Sequence, residues 1–194
     1  MILNNPERSY DYRKKVMSEI NCISEQTCLS DDSLKVDVSM AFSALGIMIS
    51  WINKPDNKEQ LEFICYGASM FLCGLSEKLL RLMYLKTVKS DSSKYGNLKT
   101  EKLMLNDLLR ESAPMTSLFS TSHKQGLAYF LICCGSAGRN YRNNLAHWET
   151  GMYPGLMTPY LTSCLLWLFT DVLNSVYLYF KTDNSSQADS SGEH

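Results

Sequence analysis

The chain has 194 residues, 45% hydrophobic and 20% charged, with 10 Gly and 5 Pro. That length carries one well-cored domain, and the apolar content excludes a disordered body. Nineteen Lys+Arg against twenty Asp+Glu give a net charge of −1, which excludes a general polycation, so any nucleic acid must be met by a local patch.

The seven cysteines (Cys22, Cys28, Cys65, Cys73, Cys133, Cys134 and Cys164) are odd in number, contain no CxxC pair and mostly sit in apolar runs. They read as buried reduced thiols of a cytoplasmic protein, with neither a disulfide framework nor a metal site. Residues 1–12 lack the apolar stretch of a signal peptide. The uncharged run 38–52 is short of the ~18–20 residues needed to span a bilayer. The longer run 159–180 is interrupted by Asp171 and Asn174. Both are expected to be buried helices, and no membrane partner is expected. A membrane-associated helical protein is the reading these runs would otherwise support.

In chain order, residues 10–28 carry Val16, Ile20, Cys22 and Ile23 among charges, an amphipathic helix. Ser30, Asp31 and Asp32 offer N-cap oxygens to a second helix ending near Asn53, before Lys54-Pro55. A third helix is expected over 58–89, about 48 Å long at ~1.5 Å per residue. Gly67 and Gly74 are expected to bend it or to admit a close helix crossing. Residues 90–97 read as a polar loop and 100–110 as a short helix. Pro114 and the Ser/Thr-rich run to Ser122 form a connection. Residues 124–134 form an apolar helix that loosens at Gly135–Gly138, and a polar segment with helical spacing reaches Trp148. Thr158-Pro159 opens a last long helix ending near Lys181, and 182–194 is a polar, disordered tail. The expectation is an all-α bundle of five to six helices. Residues 1–57 are N-terminal helices packing on the bundle, and 58–181 are its core.

Of the three histidines, His194 ends the tail and His123 lies in the Ser/Thr-rich connection. His147 closes Arg142-Asn143-Asn144-Leu145-Ala146-His147, where a guanidinium, amides and an imidazole crowd together. On a helix turning about 100° per residue, Asn143 and His147 share a face while Arg142 and His147 lie roughly 140° apart. A reaching guanidinium, an irregular segment near Gly138, or two chains facing each other would each bring them together. Such a set supports metal-free RNA phosphodiester cleavage. The imidazole moves a proton from the ribose 2′-OH or to the leaving 5′-oxygen, the guanidinium stabilises the phosphorane, and the amide orients either group. The same residues would otherwise serve to satisfy a helix terminus.

Charge is distributed in favour of phosphate. Residues 112–148 contain no Asp or Glu, while Lys124, Arg139 and Arg142 are present. Residues 77–102 hold seven basic residues (Lys78, Arg81, Lys86, Lys89, Lys94, Lys99 and Lys102) against Glu77, Asp91 and Glu101.

Arg142-Asn143 followed by three residues and His147 resembles the R-x4-6-H signature of the HEPN superfamily, in its Arg-Asn form. Glu77-Lys78-Leu79-Leu80-Arg81 is similar to the acidic-x3-basic element often seen in a preceding helix of that family. The resemblance covers about 60–181. It implies an HEPN-like helical bundle and a metal-independent, cyclic-phosphate-forming endoribonuclease with no cofactor. Two copies would build one active site, in a toxin–antitoxin or antiphage setting. By that resemblance Arg142, His147 and Asn143 are catalytic, and Glu77 and Arg81 are supporting, Glu77 holding Arg142 or Arg81. RNA is the partner, alongside a second copy and an antitoxin or regulatory protein. Glu149 stands where one branch of the family has a modified tyrosine, so that control mechanism is not expected. Lys124, Arg139, Tyr141 and Trp148 are the expected RNA contacts. Tyr153, Tyr160, Trp167, Phe169, Tyr177, Tyr179 and Phe180 are expected mostly in core and dimer packing. The other reading of the motif is a non-catalytic HEPN-like module binding a nucleotide, RNA or a protein.

Overall fold

The computed structural model describes residues 6–26, 33–51, 58–109, 114, 119 and 158–189. Among these residues it is all-α. Its six helices are α1 (Pro6–Gln26), α2 (Ser33–Trp51), α3 (Lys58–Ser90), α4 (Ser92–Tyr95), α5 (Leu105–Leu109) and α6 (Pro159–Asp189).

Four long helices close a ring. α1 packs on α2 and α6, and α3 packs on the same two from the opposite corner. The apolar spacing decides which faces turn inward. α1 buries Val16, Ile20 and Ile23, and α2 buries Val38, Leu45 and Met48. α3 contributes Leu72, Leu79, Leu80 and Met83, and α6 contributes Phe169, Leu173, Val176 and Phe180. Each such side chain stabilises the fold by about 1.5–3 kcal/mol relative to exposure. The two N-terminal helices thus supply half of the ring around a common core.

Long-range contacts fix the directions. Ser69 of α3 sits beside Thr162 of α6, and Thr87, further along α3, sits beside Tyr179, further along α6, so this pair runs parallel. Lys78 meets Asp37 at 3.2 Å, placing the start of α2 beside the second half of α3, antiparallel to it. Tyr12 of α1 hydrogen-bonds Thr170 of α6, and its ring lies 5.8 Å from that of Phe42 on α2. Residues 91–158 separate the parallel α3/α6 pair in sequence.

Local chemistry explains the ends. Thr158 Oγ1 accepts the Leu161 N–H at 3.3 Å, an N-cap with Pro159 at the first helical position, as expected. The N-cap candidates Ser30, Asp31 and Asp32 lie outside the described residues. α6 continues to Asp189, past the expected end at Lys181. A helix already nucleated propagates at small cost per residue, so the backbone can run past the end of its apolar pattern.

Three expectations need correction. α3 runs unbroken through Gly67 and Gly74, and among the described residues a Cβ built at either meets nothing within 4 Å, so no described helix crosses closely at either glycine. The polar stretch 90–97 contains the helical turn α4, capped by Asp91, whose carboxylate accepts the Lys94 N–H at 3.1 Å and the Ser93 hydroxyl at 2.7 Å. The helix expected over 100–110 is reduced to α5. Lys102 adopts a left-handed φ of 49°, which a right-handed helix cannot contain, and Asp107 Oδ2 accepts the Met104 N–H at 2.8 Å to restart it.

Candidate functional site

Of the expected site residues, Glu77 and Arg81 are described. Arg142, Asn143, His147, Arg139, Tyr141, Lys124 and Trp148 lie outside the described residues, as does the expected apolar helix over 124–134.

Glu77 and Arg81 are one turn apart on α3. Glu77 is buried, and Arg81 Nη2 donates to its Oε1 at 3.1 Å. The same nitrogen donates to the Leu103 carbonyl at 3.0 Å. One turn further on, the Tyr84 hydroxyl donates to the Lys99 carbonyl at 3.1 Å. Two side chains of α3 therefore fasten the 98–104 link along the helix, and Leu103 is buried beneath it. The structure brings Glu77 to Arg81, one of the two arginines the resemblance offered it. Buried carboxylates are tolerated where charge-assisted hydrogen bonds replace water, which this pair supplies.

Among the described residues, Lys78 meets Asp37 at 3.2 Å, Arg81 meets Glu77 at 3.1 Å and Lys99 meets Asp107 at 3.0 Å. Lys86 and Lys94 stand over rings, 4.5 Å from the Phe180 centroid and 5.0 Å from that of Tyr95. Lys181 stands 5.9 Å from the Tyr177 ring. These lysine–ring pairs were missed in the sequence. Tyr177 and Lys181 carry a signal, since residues four apart on a helix are neighbours. Lys86 and Phe180 carry none, because only the fold joins them.

The aromatic residues of α6 divide. Phe169 and Phe180 are buried in the core, Tyr177 and Tyr179 are half-buried, and Tyr160 and Trp167 are 77% and 64% exposed in the single chain. Cys65 and Cys73 are buried, while Cys22 and Cys164 are half-buried. Burial pushes the Cys65 thiol above its ordinary pKa, a hydrogen bond with Thr162 opposing it, which makes this sulfur a poor nucleophile. Among the described residues no group of three or more His, Cys, Asp or Glu is placed to hold a metal ion.

By length and composition, Glu59–Ser90 and Pro159–Lys181 would each cross a membrane, a test that the core helices of a bundle also pass; 56% and 50% of their apolar windows are buried here. Compared with known proteins, the chain matches no family model, no curated protein and no solved structure.

Proposed function

We propose that the protein is a metal-independent endoribonuclease of HEPN type, working in the cytoplasm as a homodimer in toxin–antitoxin or antiphage defence. The observation that carries this reading is the Arg142-Asn143…His147 motif in a carboxylate-free stretch of an all-α chain. It is supported by the buried Glu77 and its Arg81 partner on the long preceding helix.

His147 exchanges the proton of the ribose 2′-OH and the leaving 5′-oxygen, and Arg142 neutralises the phosphorane. Asn143 orients them. Products end in a 2′,3′-cyclic phosphate and a 5′-hydroxyl. Single-stranded or loop RNA is the expected substrate, because an unstacked nucleotide reaches in-line geometry. An antitoxin or regulatory protein would hold the activity in check.

The test incubates structured RNA with wild type, His147→Ala and Arg142→Ala in excess chelator. Wild type is expected to cleave, and each variant to lose roughly 10²–10⁴-fold in rate, the usual contribution of a proton-transfer group. Equal cleavage by wild type and His147→Ala, or a requirement for a divalent ion, removes the reading. A second reading, a non-catalytic HEPN-like module, is favoured by one observation: Arg81 directs its hydrogen bonds to its own chain, as a structural residue does. RNA binding without cleavage by wild type would select it.

A further inference from the structure

Charge is segregated along the bundle. On α3, residues 63–76 carry none, and on α6 residues 159–170 carry none, whereas basic residues gather over the last turns of α3 and at Lys181, next to the level of α6 packed beside them. Lys86 and Lys89 belong to the last turns of α3, Lys94 to the helical turn directly after it, and Lys181 to α6. Lys86 stands over Phe180, the neighbour of Lys181, which brings the end of α3 beside this level of α6, two turns before α6 ends at Asp189. Lys89, Lys94 and Lys181 are exposed. Of the carboxylates near these lysines in sequence, Asp91 is engaged in capping α4, and Asp183 follows Lys181 by two residues.

The helix macrodipole accounts for a cation such as Lys89 in the last turn of α3. It does not account for three lysines each held over an aromatic ring, Lys86 on Phe180, Lys94 on Tyr95 and Lys181 on Tyr177. A ring-held ammonium has lost part of its rotamer freedom before any ligand arrives, and it keeps its charge. Tyr95 and Tyr177 are half-buried, so each also offers partial ring surface beside a cation. Lysines for phosphates interleaved with rings for bases is the arrangement that binds single strands without reading sequence.

We infer that the C-terminal turns of α3 and the adjacent 177–181 stretch of α6, with Lys89, Lys94 and Lys181 as phosphate contacts and Tyr95 and Tyr177 beside them, form a docking tract for single-stranded RNA. The tract lies apart from the motif over 142–147 in sequence and requires no chemistry of it. It rests on the RNA reading above for its choice of polyanion.

The test uses the full chain and a fluorescent single-stranded 2′-O-methyl RNA, which has no free 2′-OH and cannot be cleaved by this route. Binding is read by anisotropy across a salt series for wild type and the triple variant Lys89→Gln/Lys94→Gln/Lys181→Gln, with circular dichroism to verify the fold. Each phosphate contact contributes about 0.7 to the salt slope on single strands, so the triple variant is expected to lose about two from the slope and roughly tenfold or more in affinity. An unchanged slope and affinity in the variant, or no binding by wild type, overturns the tract. Wild type that binds phosphatidylserine vesicles but not the oligonucleotide overturns it too, assigning the lysines to a lipid surface. Failure of the nuclease reading looks different: wild type leaves ordinary RNA intact while the anisotropy result stands.

Discussion

Ser69 on α3 and Thr162 on α6 hold their hydroxyl oxygens 3.0 Å apart inside the bundle, at 1% and 0% exposure. Thr162 Oγ1 also lies 3.2 Å from the Thr158 carbonyl and 3.3 Å from that of Cys65. A hydroxyl has one proton; Thr162 donates it to a carbonyl, and Ser69 is then the donor to Thr162. The parallel pair is thus registered by a polar contact as well as by shape. Thr162→Val keeps the volume and removes that acceptor from Ser69. It is expected to cost about 1–3 kcal/mol in urea unfolding, the penalty of an unsatisfied buried donor. The double variant with Ser69→Ala should lose less than the two single losses combined, because both delete one contact. Strict additivity would show that the hydroxyls are not coupled.

Gly74 lies exposed in the middle of α3, where among the described residues a Cβ meets nothing within 4 Å. Gly74→Ala should therefore stabilise the chain by about 0.5–1 kcal/mol, the helix-propensity difference, mostly by restricting the unfolded state. A rise in the thermal midpoint checks this. A fall would mean that something packs on this face of α3.

The bundle was legible because its four long helices obey one rule: Val16, Ile20 and Ile23, or Leu72, Leu79 and Met83, recur at helical spacing and turn inward. Thr158-Pro159 was legible for a local reason, since the cap bond joins residues three apart. Interactions between distant segments were hidden. Nothing in the local pattern pairs Tyr12 with Thr170 or Lys86 with Phe180, and Leu103 takes the Arg81 hydrogen bond only after the link folds back on α3. At the site, the four-residue spacing of Glu77 and Arg81 was readable and their ion pair follows from it. What shares the buried side of Glu77 depends on tertiary packing, which spacing does not encode.

Glu19 of α1 is buried, with Lys15 3.6 Å away on the solvent side. Desolvation raises its carboxyl above the ordinary range by more than Lys15 lowers it. A raised folded-state pKa means that the folded protein holds this proton more tightly than the unfolded chain. The resulting stabilisation is complete below the unfolded-state value and is lost as pH rises through the folded one. Glu19→Gln, neutral at every pH, should melt above wild type near neutrality. Its advantage should shrink as pH falls toward the ordinary glutamate range. Thermal midpoints across a pH series check this, and an advantage that does not vary with pH would contradict it.

The Glu77–Arg81 pair separates a structural from a supporting role at the proposed active site. Arg81 has a 45% exposed side chain and bonds both Glu77 and the Leu103 carbonyl. Arg81→Gln should cost about 1 kcal/mol, since exposure screens the pair and the 98–104 link keeps its Tyr84 anchor. Glu77→Gln keeps a hydrogen-bond acceptor for Arg81 at the same position and removes only the charge. If Glu77 acts only through the fold, RNA cleavage should follow the folded fraction in both variants, with an unchanged pH–rate profile. If it also orients the motif arginine, Glu77→Gln should lower the cleavage rate roughly tenfold or more at unchanged thermal midpoint. Arg81→Gln should not. We expect the second outcome. Equal, stability-limited losses in the two variants would assign the pair to the scaffold and leave Arg142, Asn143 and His147 to carry the chemistry alone.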